Sequence, residues 1–508
     1  MTISESNSST TASSTTTPEA LHSSVHEQRR FFKNISWTTL SMVLRVVFAG
    51  GALAILGRLV DQGTMGLYGM GWTAALFGFT ISQSGAAQGI IAIPKLDKEH
   101  VAAAQFLSTL ISLTIAAVII VSAPAIQAFY HYPNLKVAFI IAGLFVPLMS
   151  LPAVDIAMAQ KELQFSRLAF VQTGGVVLAA STSLALAHFG QGLIALFALQ
   201  GLVGPYNFLL FRFYRRSPGF GKTTWQHIAD VWRIGMHLSL GSLTSVIWLN
   251  VPQLIMGKLV TVEEMGLYVY SYRIVQLVYT QLSNMVNTVV YPSFARYRSD
   301  PIAIGRSFLQ TVRFTYFCLM LPLIALAAAP TSFMRVYGGG KWAAADGILF
   351  YLIVAQMVIA LAANVFPTFM AMGRPQVAWQ WNLFITVVQT AAIVLTAHWG
   401  ILAVIKGLAV SSCAMPLAVY WLSRATKFPF IDYWRNMAFL IGFIPPSMAL
   451  GAGLQYLLGH APVTVRFGVS AASATLLYVI LVAAFDGQAR HLLRDTARSV
   501  RTRLRAAA

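Results

Sequence analysis

Two arginines lie inside long apolar stretches of this 508-residue chain, where an ionised side chain is costly. Arg45 falls about midway along residues 35–57, and Arg273 falls within residues 266–291. A charge at the centre of a bilayer costs roughly 2.5–3.5 kcal/mol or more, so such groups usually face a water-filled cavity or a partner. We therefore predict that both guanidinium groups bind an anion in a central cavity. For Arg45 the alternative is an internal ion pair or a structural bond to carbonyl groups.

Polar aromatic residues surround Arg273 in the sequence, namely Tyr268, Tyr270, Tyr272 and Tyr279. Such a face suits a sugar or a phosphate. An aromatic belt at the membrane interface is the alternative, and it explains Tyr268 better than Tyr272. The predicted substrate-binding residues are Arg45, Tyr272, Arg273 and Gln276.

A few other charged residues could act in gating or coupling. Arg58 and Lys258 lie at the predicted outer ends of the first and seventh apolar runs and could gate the outer mouth, although an interfacial cation at a helix end needs no function. Asp155, inside the fourth run, could exchange a proton during transport or could be a fixed partner of Arg45 or another cation. Lys406 lies only a few residues inside its apolar run, so its amine can reach the outer surface.

The sequence contains few features that indicate catalysis or a bound metal. The ten histidines form no paired ligand spacing on a common face, and Cys318 and Cys413 both lie in apolar runs. The net charge of +19 sits mostly in short loops between apolar runs and not in a basic, aromatic-rich domain. We therefore expect no metal, no cofactor, no nucleic-acid partner and no enzymatic activity.

The elements that must position these side chains are membrane helices. Hydrophobic residues make up 57% of the chain and charged residues only 10%. Fourteen apolar runs, each near the roughly 20 residues that cross a bilayer, follow one another between residues 35 and 485. Most of the 35 Lys and Arg residues fall in segments that are cytoplasmic if both termini are cytoplasmic. We predict a multi-pass, all-α membrane protein with about fourteen transmembrane helices.

A repeated segment relates the two halves of the chain. Residues 57–68, GRLVDQGTMGLY, return as residues 257–268, GKLVTVEEMGLY, with seven of twelve positions identical. Each copy joins two long apolar runs, so the repeated unit is a pair of membrane helices. An even number of runs separates the copies, which predicts parallel repeats about an axis along the membrane normal.

Several short motifs resemble one family of transporters. They are the first repeated segment with its preceding Ile55 and Leu56, QSGAAQGII from Gln83, the charged turn KLDKE from Lys95, AQKELQFSRLA from Ala159, and VYPSFAR from Val290. With the repeat and the fourteen runs, the chain resembles the polysaccharide transporter (lipid-linked oligosaccharide flippase) branch of the multidrug/oligosaccharidyl-lipid/polysaccharide exporter superfamily, of the bacterial exopolysaccharide type.

This resemblance implies two pseudo-symmetric six-helix bundles around a central cavity, with two peripheral helices. It implies that an undecaprenyl-diphosphate-linked oligosaccharide repeat unit moves across the bacterial inner membrane by alternating access. The other expected partners are membrane lipids, a polysaccharide polymerase and export machinery. The predicted regions are a disordered Ser/Thr-rich tail (1–28), an N-terminal bundle (29–215), a cytoplasmic linker (216–233), a C-terminal bundle (234–430), two extra transmembrane helices (431–486) and a basic cytoplasmic tail (487–508).

Two other functions are alternatives to export of a lipid-linked sugar. A cation-coupled multidrug exporter of the same superfamily would need acidic groups for cationic drugs, whereas the charges inside the runs are three cations and one acid. A membrane glycosyltransferase or polymerase usually needs a large outer loop or paired carboxylates, and the sequence shows neither.

Overall fold

The chain folds into helices, as expected for a segmented apolar sequence in lipid, where backbone polar groups must bond to one another. The computed structural model describes residues 41–93, 96–162, 164–214, 223–295 and 300–485, and these contain no strand. Ten of their helical segments are long and apolar enough to cross a membrane, and a bent pair makes an eleventh. The predicted class, an all-α, multi-pass membrane protein, is confirmed.

Eight helices form the N-terminal half, which we define as residues 41–214. They are α1 (Ser41–Leu59), α2 (Gln62–Ala92), α3 (Lys98–Tyr130), α4 (Leu135–Ser150), α5 (Ala153–Lys161), α6 (Phe165–His188), α7 (Gly192–Gly201) and α8 (Val203–Tyr214). A break at Pro152, which has no N–H to donate, divides one predicted span into α4 and α5. The bend between α7 and α8 is 43°.

Nine helices form the C-terminal half, residues 225–426, and three more follow it. The first set is α9 (Trp225–Leu259), α10 (Val262–Ala295), α11 (Pro301–Ala328), α12 (Pro330–Tyr337), α13 (Asp346–Ala360), α14 (Val365–Ala371), α15 (Pro375–Thr396), α16 (Ile401–Ser411) and α17 (Leu417–Thr426). The last set is α18 (Phe430–Gly442), α19 (Ile444–Leu457) and α20 (Val463–Phe485). Short 3₁₀ turns occur at Gly340–Ala345, Ala397–Trp399 and Ser412–Ala414.

Three long helices correspond to the second, seventh and eighth predicted spans. These helices, α2, α9 and α10, contain 31, 35 and 34 residues, more than the roughly 20 needed to cross a bilayer. The count of fourteen crossings nevertheless stays a prediction, as do the region boundaries. The predicted tails, 1–28 and 487–508, and residues 216–222 of the predicted linker lie outside the described residues.

The repeated segments start α2 and α10, and local hydrogen bonds fix where each helix begins. The Asp61 carboxylate accepts bonds from the Thr64 amide at 2.8 Å and the Thr64 hydroxyl at 2.6 Å. Partial burial opposes ionisation of Asp61, but these bonds and the nearby charge of Lys341 outweigh it and hold the pKa of Asp61 below its usual value. At α10, Thr261 and Glu264 exchange side-chain and backbone bonds as a capping box.

The two repeated segments cross each other at a contact of glycine backbones. A Cβ atom at Gly66 would overlap the Val262 carbonyl, and one at Gly266 would overlap the Gln62 carbonyl, both closer than the 3.0 Å that real Cβ atoms respect. These contacts are equivalent, because residues 62 and 66 correspond to 262 and 266 in the repeat. The surfaces therefore match as in a two-fold symmetric interface. We call this contact the glycine crossing.

We expect Gly266→Val to lower the thermal unfolding temperature, because its side chain forces two backbones apart. Overpacking of this kind typically costs about 1–3 kcal/mol. Thermal unfolding in one detergent at one scan rate measures the change. Gly468→Val in α20 is the matched control, since nothing lies within 4 Å of a Cβ atom there. Equal unfolding temperatures for both variants would contradict a close-packed crossing.

Candidate functional site

Hydrogen bonds around the glycine crossing join each half of the chain to the first helix of the other. Arg58 Nη2 donates to the Val336 carbonyl at 2.6 Å, which links α1 to α12. Lys258 Nζ donates to the Phe129 carbonyl and lies 4.6 Å from the centroid of that ring, which links α9 to α3. The two cations occupy equivalent repeat positions, and each donates to a backbone carbonyl of the opposite half.

Aromatic side chains add further bonds of the same type. Trp342 Nε1 donates to the Gly57 carbonyl at 2.6 Å, and the Tyr132 hydroxyl donates to the Val260 carbonyl at 2.5 Å. Burial, together with the carboxylates of Glu264 and Glu263, raises the pKa of Tyr132 to about 12, so its hydroxyl keeps its proton at neutral pH. We call the contacts made by Arg58, Lys258, Tyr132 and Trp342 the clasp.

Arg273 lies two turns after the glycine crossing on α10, where this helix faces α2 and α7 of the N-terminal half. We call this contact between the two halves the seam. From α10 its Nη1 donates to Gln200 Oε1 of α7 at 3.2 Å. Its guanidinium carbon is 5.2 Å from the ring centroid of Tyr68 and 5.3 Å from that of Trp72, both on α2. Within the described ranges no carboxylate forms an ion pair with Arg273. Its partners are a neutral amide and two aromatic faces, so its positive charge stays available to an anion.

The other predicted residues of α10 line a cavity inside the C-terminal half. Tyr272 stacks on Tyr268 with ring centroids 5.6 Å apart, and Gln276 Nε2 donates to the Tyr272 hydroxyl at 2.9 Å. The Thr280 hydroxyl donates to Gln276 Oε1 at 3.2 Å. These residues border a cavity of about 270 Å³, whose other walls come from α9, α13–α16 and the turns that follow α13 and α16. We call it the C-half cavity.

Arg45 lies apart from this cavity, in the N-terminal half. Its Nη1 donates to Gln172 Oε1 of α6 at 2.7 Å. One turn earlier, Ser41 donates to the Ala169 carbonyl and accepts from Thr173, so α1 and α6 are joined by a short polar row. The bond to Gln172 agrees with a structural role for Arg45, and a neutral amide also leaves its charge free to act. A substrate-binding role for Arg45 stays a prediction.

The structure separates the remaining predicted charges from the α10 residues. Asp155 lies on α5 and is 9% exposed. Lys406 is exposed on α16, with its amine 5.3 Å from the ring centroid of Tyr351. The coupling role of Asp155 and the gating roles of Arg58 and Lys258 stay predictions. Arg58 and Lys258 do, however, each bond across the seam.

Sequence reasoning missed the partners of the arginines. Gln172 and Gln200 lie more than 70 residues from the arginines that they contact, and no spacing rule connects them. It also missed Arg313, which is buried in α11 and donates to the carbonyl and side-chain oxygens of Asn436 on α18 at 3.2 and 2.7 Å. The available signal was the group of polar residues in the first half of α18, namely Asp432, Arg435 and Asn436.

Comparisons with known proteins agree with this architecture. A family model described as "Polysaccharide biosynthesis protein" matches residues 20–346. The teichuronic acid biosynthesis protein TuaB of Bacillus subtilis is 22% identical over 92% of this chain and 98% of its own length. The lipopolysaccharide biosynthesis protein WzxC of Escherichia coli is 21% identical over 71% of this chain and 73% of its own length.

Solved structures share the fold at low sequence identity. The lipid II flippase MurJ, in an inward closed conformation, superposes with a TM-score of 0.70 at 13% identity and covers 90% of this chain and 99% of its own. An inward-facing multidrug resistance transporter of the MOP superfamily superposes with a TM-score of 0.57 at 15% identity. The match covers 76% of this chain and 99% of the transporter. Together with the family match over well more than half of the sequence, the repeat and its crossing helices place this chain in the polysaccharide biosynthesis protein family.

Proposed function

We propose that this protein is a flippase that moves an undecaprenyl-diphosphate-linked oligosaccharide across the membrane for polysaccharide biosynthesis. The observation that carries the proposal is Arg273, a cation at the seam between the halves to which none of the described carboxylates forms an ion pair. Relatives named for teichuronic acid and lipopolysaccharide biosynthesis support the substrate class, and the fold of a lipid II flippase supports the mode of action. In this proposal the protein catalyses no covalent chemistry.

The partners of the two arginines suit a reversible anion site. Arg45 and Arg273 each bond to one glutamine amide, which is a neutral acceptor. A phosphate oxygen is a stronger acceptor for a guanidinium than an amide, because a charge-assisted bond is roughly twice as strong as a neutral one. Each arginine can therefore exchange its glutamine for a phosphate of the diphosphate, and the glutamine takes the cation back when the lipid leaves.

The clasp supplies the gate that alternating access needs. It closes the end of the molecule that the distribution of Lys and Arg predicts to be the outer one. Its bonds run from side chains to backbone carbonyls of the opposite half, so they can open without breaking a helix. Each contributes about 0.5–1.5 kcal/mol, so the clasp biases the outer end toward closure without locking it.

The same arrangement favours a lipid diphosphate over a cationic drug. A drug cation would need a carboxylate at the seam, where the described partners of Arg273 are an amide and aromatic rings. In this proposal Asp155 is a candidate proton carrier away from that seam. We place the protein in the bacterial inner membrane with both termini cytoplasmic, next to a polysaccharide polymerase and the export machinery.

We expect Arg273→Ala to abolish polysaccharide export and to slow flipping by at least about tenfold, because a charge-assisted hydrogen bond contributes about 1.5–3 kcal/mol. Arg45→Ala should have the same effect if its guanidinium also meets the diphosphate. Flipping of a fluorescent lipid-linked oligosaccharide in proteoliposomes, and accumulation of the lipid-linked sugar in cells, are the measurements.

Lys406→Ala is the matched control for both arginine variants, because it also removes a cation from an apolar segment but from an exposed position. It should flip at the wild-type rate. Protein levels in the membrane should match for all three variants. Normal export by both arginine variants would remove these residues from the site.

We expect the double variant Arg58→Ala, Lys258→Ala to shift the protein toward the outward-open state. Loss of two clasp bonds at about 0.5–1.5 kcal/mol each should raise the open population at least about fivefold. The reporter is Met65→Cys, a fully buried position beside the crossing, in a chain with Cys318 and Cys413 replaced by Ala. Labelling by an impermeant maleimide from outside measures its exposure.

Lys136→Ala removes another cation that is predicted to be on the outer side, and its ammonium has no hydrogen bond in the described residues. This control should leave the labelling rate of the reporter unchanged. If the clasp variant labels no faster than the control, the gating role of Arg58 and Lys258 is wrong.

A further inference from the structure

The C-half cavity has a wall chemistry that differs from the arginine sites. None of its lining residues in the described ranges is charged. Its polar groups are amides and hydroxyls, among them Gln276, Gln356, Gln389 and Ser412, and its apolar surface includes Phe366. An uncharged wall of this kind is unsuited to a diphosphate and suited to a neutral, polyhydroxylated group.

Gln389 gives this cavity an open hydrogen-bonding position. It lies on α15, is 8% exposed and lines the cavity. Among the residues that the structure describes, none hydrogen-bonds its side-chain amide. Two donors and an acceptor on Gln389 are thus available to a ligand in the cavity.

Tyrosines supply the second element of a sugar site. Tyr268 and Tyr272 form a stacked pair on the cavity wall, and Tyr279 lies two turns further along α10. Amphipathic rings of this type offer an apolar face together with a polar hydroxyl. A sugar ring has the complementary surfaces, because its C–H groups form apolar faces and its hydroxyl groups form the rim. Aromatic faces and amide donors together match a saccharide.

The cavity and the cation that we assign to the diphosphate share one turn of α10. Tyr272 on the cavity wall immediately precedes Arg273, whose side chain points toward α2 and α7. At about 270 Å³ the cavity is smaller than the roughly 300–1,000 Å³ pockets that enclose drug-sized ligands. It suits one sugar ring rather than a whole oligosaccharide. In a lipid-linked oligosaccharide the sugar nearest the diphosphate is the one within reach.

We propose that the C-half cavity is a subsite for the first sugar of the lipid-linked substrate, with Gln389 as a donor and acceptor to its hydroxyl groups. This proposal rests on the flippase function proposed above and deepens it. Arg273 binds the part that all such lipids share, and the cavity selects by the sugar attached to it. The protein would therefore discriminate among substrates at the reducing-end residue.

The test compares binding of bare undecaprenyl diphosphate with that of the same lipid bearing one glucose, galactose or N-acetylglucosamine, by native mass spectrometry of the full chain. At least one sugar should tighten binding to the wild-type protein. Gln389→Leu should reduce that gain by about three- to tenfold, as expected for one neutral hydrogen bond, and leave the bare lipid unaffected. Because the amide has no bond to lose within the described structure, the variant should fold.

Gln105→Leu is the matched control, since Gln105 is 7% exposed on α3 and lies outside the cavity wall. It should leave the sugar gain intact. Ala355→Leu, which extends a side chain into the cavity, should remove the gain by filling the space. If no sugar tightens binding, or if the gain survives both cavity variants, the subsite is wrong.

The outcomes separate this proposal from the proposed function. Arg273→Ala should weaken binding of the bare and the glycosylated lipids alike. Binding of the bare lipid that depends on Arg273 but gains nothing from a sugar would overturn only the subsite. Absence of binding by every diphosphate lipid would overturn the flippase function itself.

Discussion

Direct contact between two backbones at the glycine crossing is the constraint on which the rest of the structure depends. With a side chain at Gly66 or Gly266, α2 and α10 could not approach closely enough for the clasp to reach the carbonyls opposite. The same approach brings Arg273 of α10 to within 5.3 Å of the aromatic rings on α2. Formation of the clasp and of the seam are thus consequences of one packing requirement.

The two copies of the repeat carry the same type of residue at the glycine crossing and different residues at the proposed binding site. Arg58 and Lys258 retain a cation at both equivalent positions, and each bonds a carbonyl of the other half. By contrast, the position equivalent to Arg273 is Thr73, whose hydroxyl donates to the Gly69 carbonyl of its own helix. A symmetric contact opens and closes as a unit, whereas an asymmetric substrate needs charge on one side and neutral groups elsewhere. In the proposed function, gating and binding therefore place opposite demands on the two copies.

Much of the fold was predictable because lipid leaves so few choices. The length of the apolar runs predicted membrane helices, and the repeated segments predicted two related halves. The site was less predictable, because contacts between helices distant in sequence depend on their relative rotation. Tyr272 and Arg273 are adjacent, yet Tyr272 faces a cavity and Arg273 faces the other half. No periodicity in the sequence specifies that division, and none identifies Gln389 as a wall residue.

A single helix connects all of these functions. Gly266 lies at the crossing, Tyr270 stacks on Trp342 of the clasp at 4.1 Å, Arg273 reaches the seam and Gln276 lines the cavity, all on α10. A helix transmits displacement along its length, since its hydrogen bonds hold its residues in fixed relation. In the proposed gating motion, separation at the crossing also changes the position of Arg273 relative to Gln200, Tyr68 and Trp72. The proposed function then makes opening of the gate and loosening of the proposed anion site one motion, which couples gating to release of the cargo.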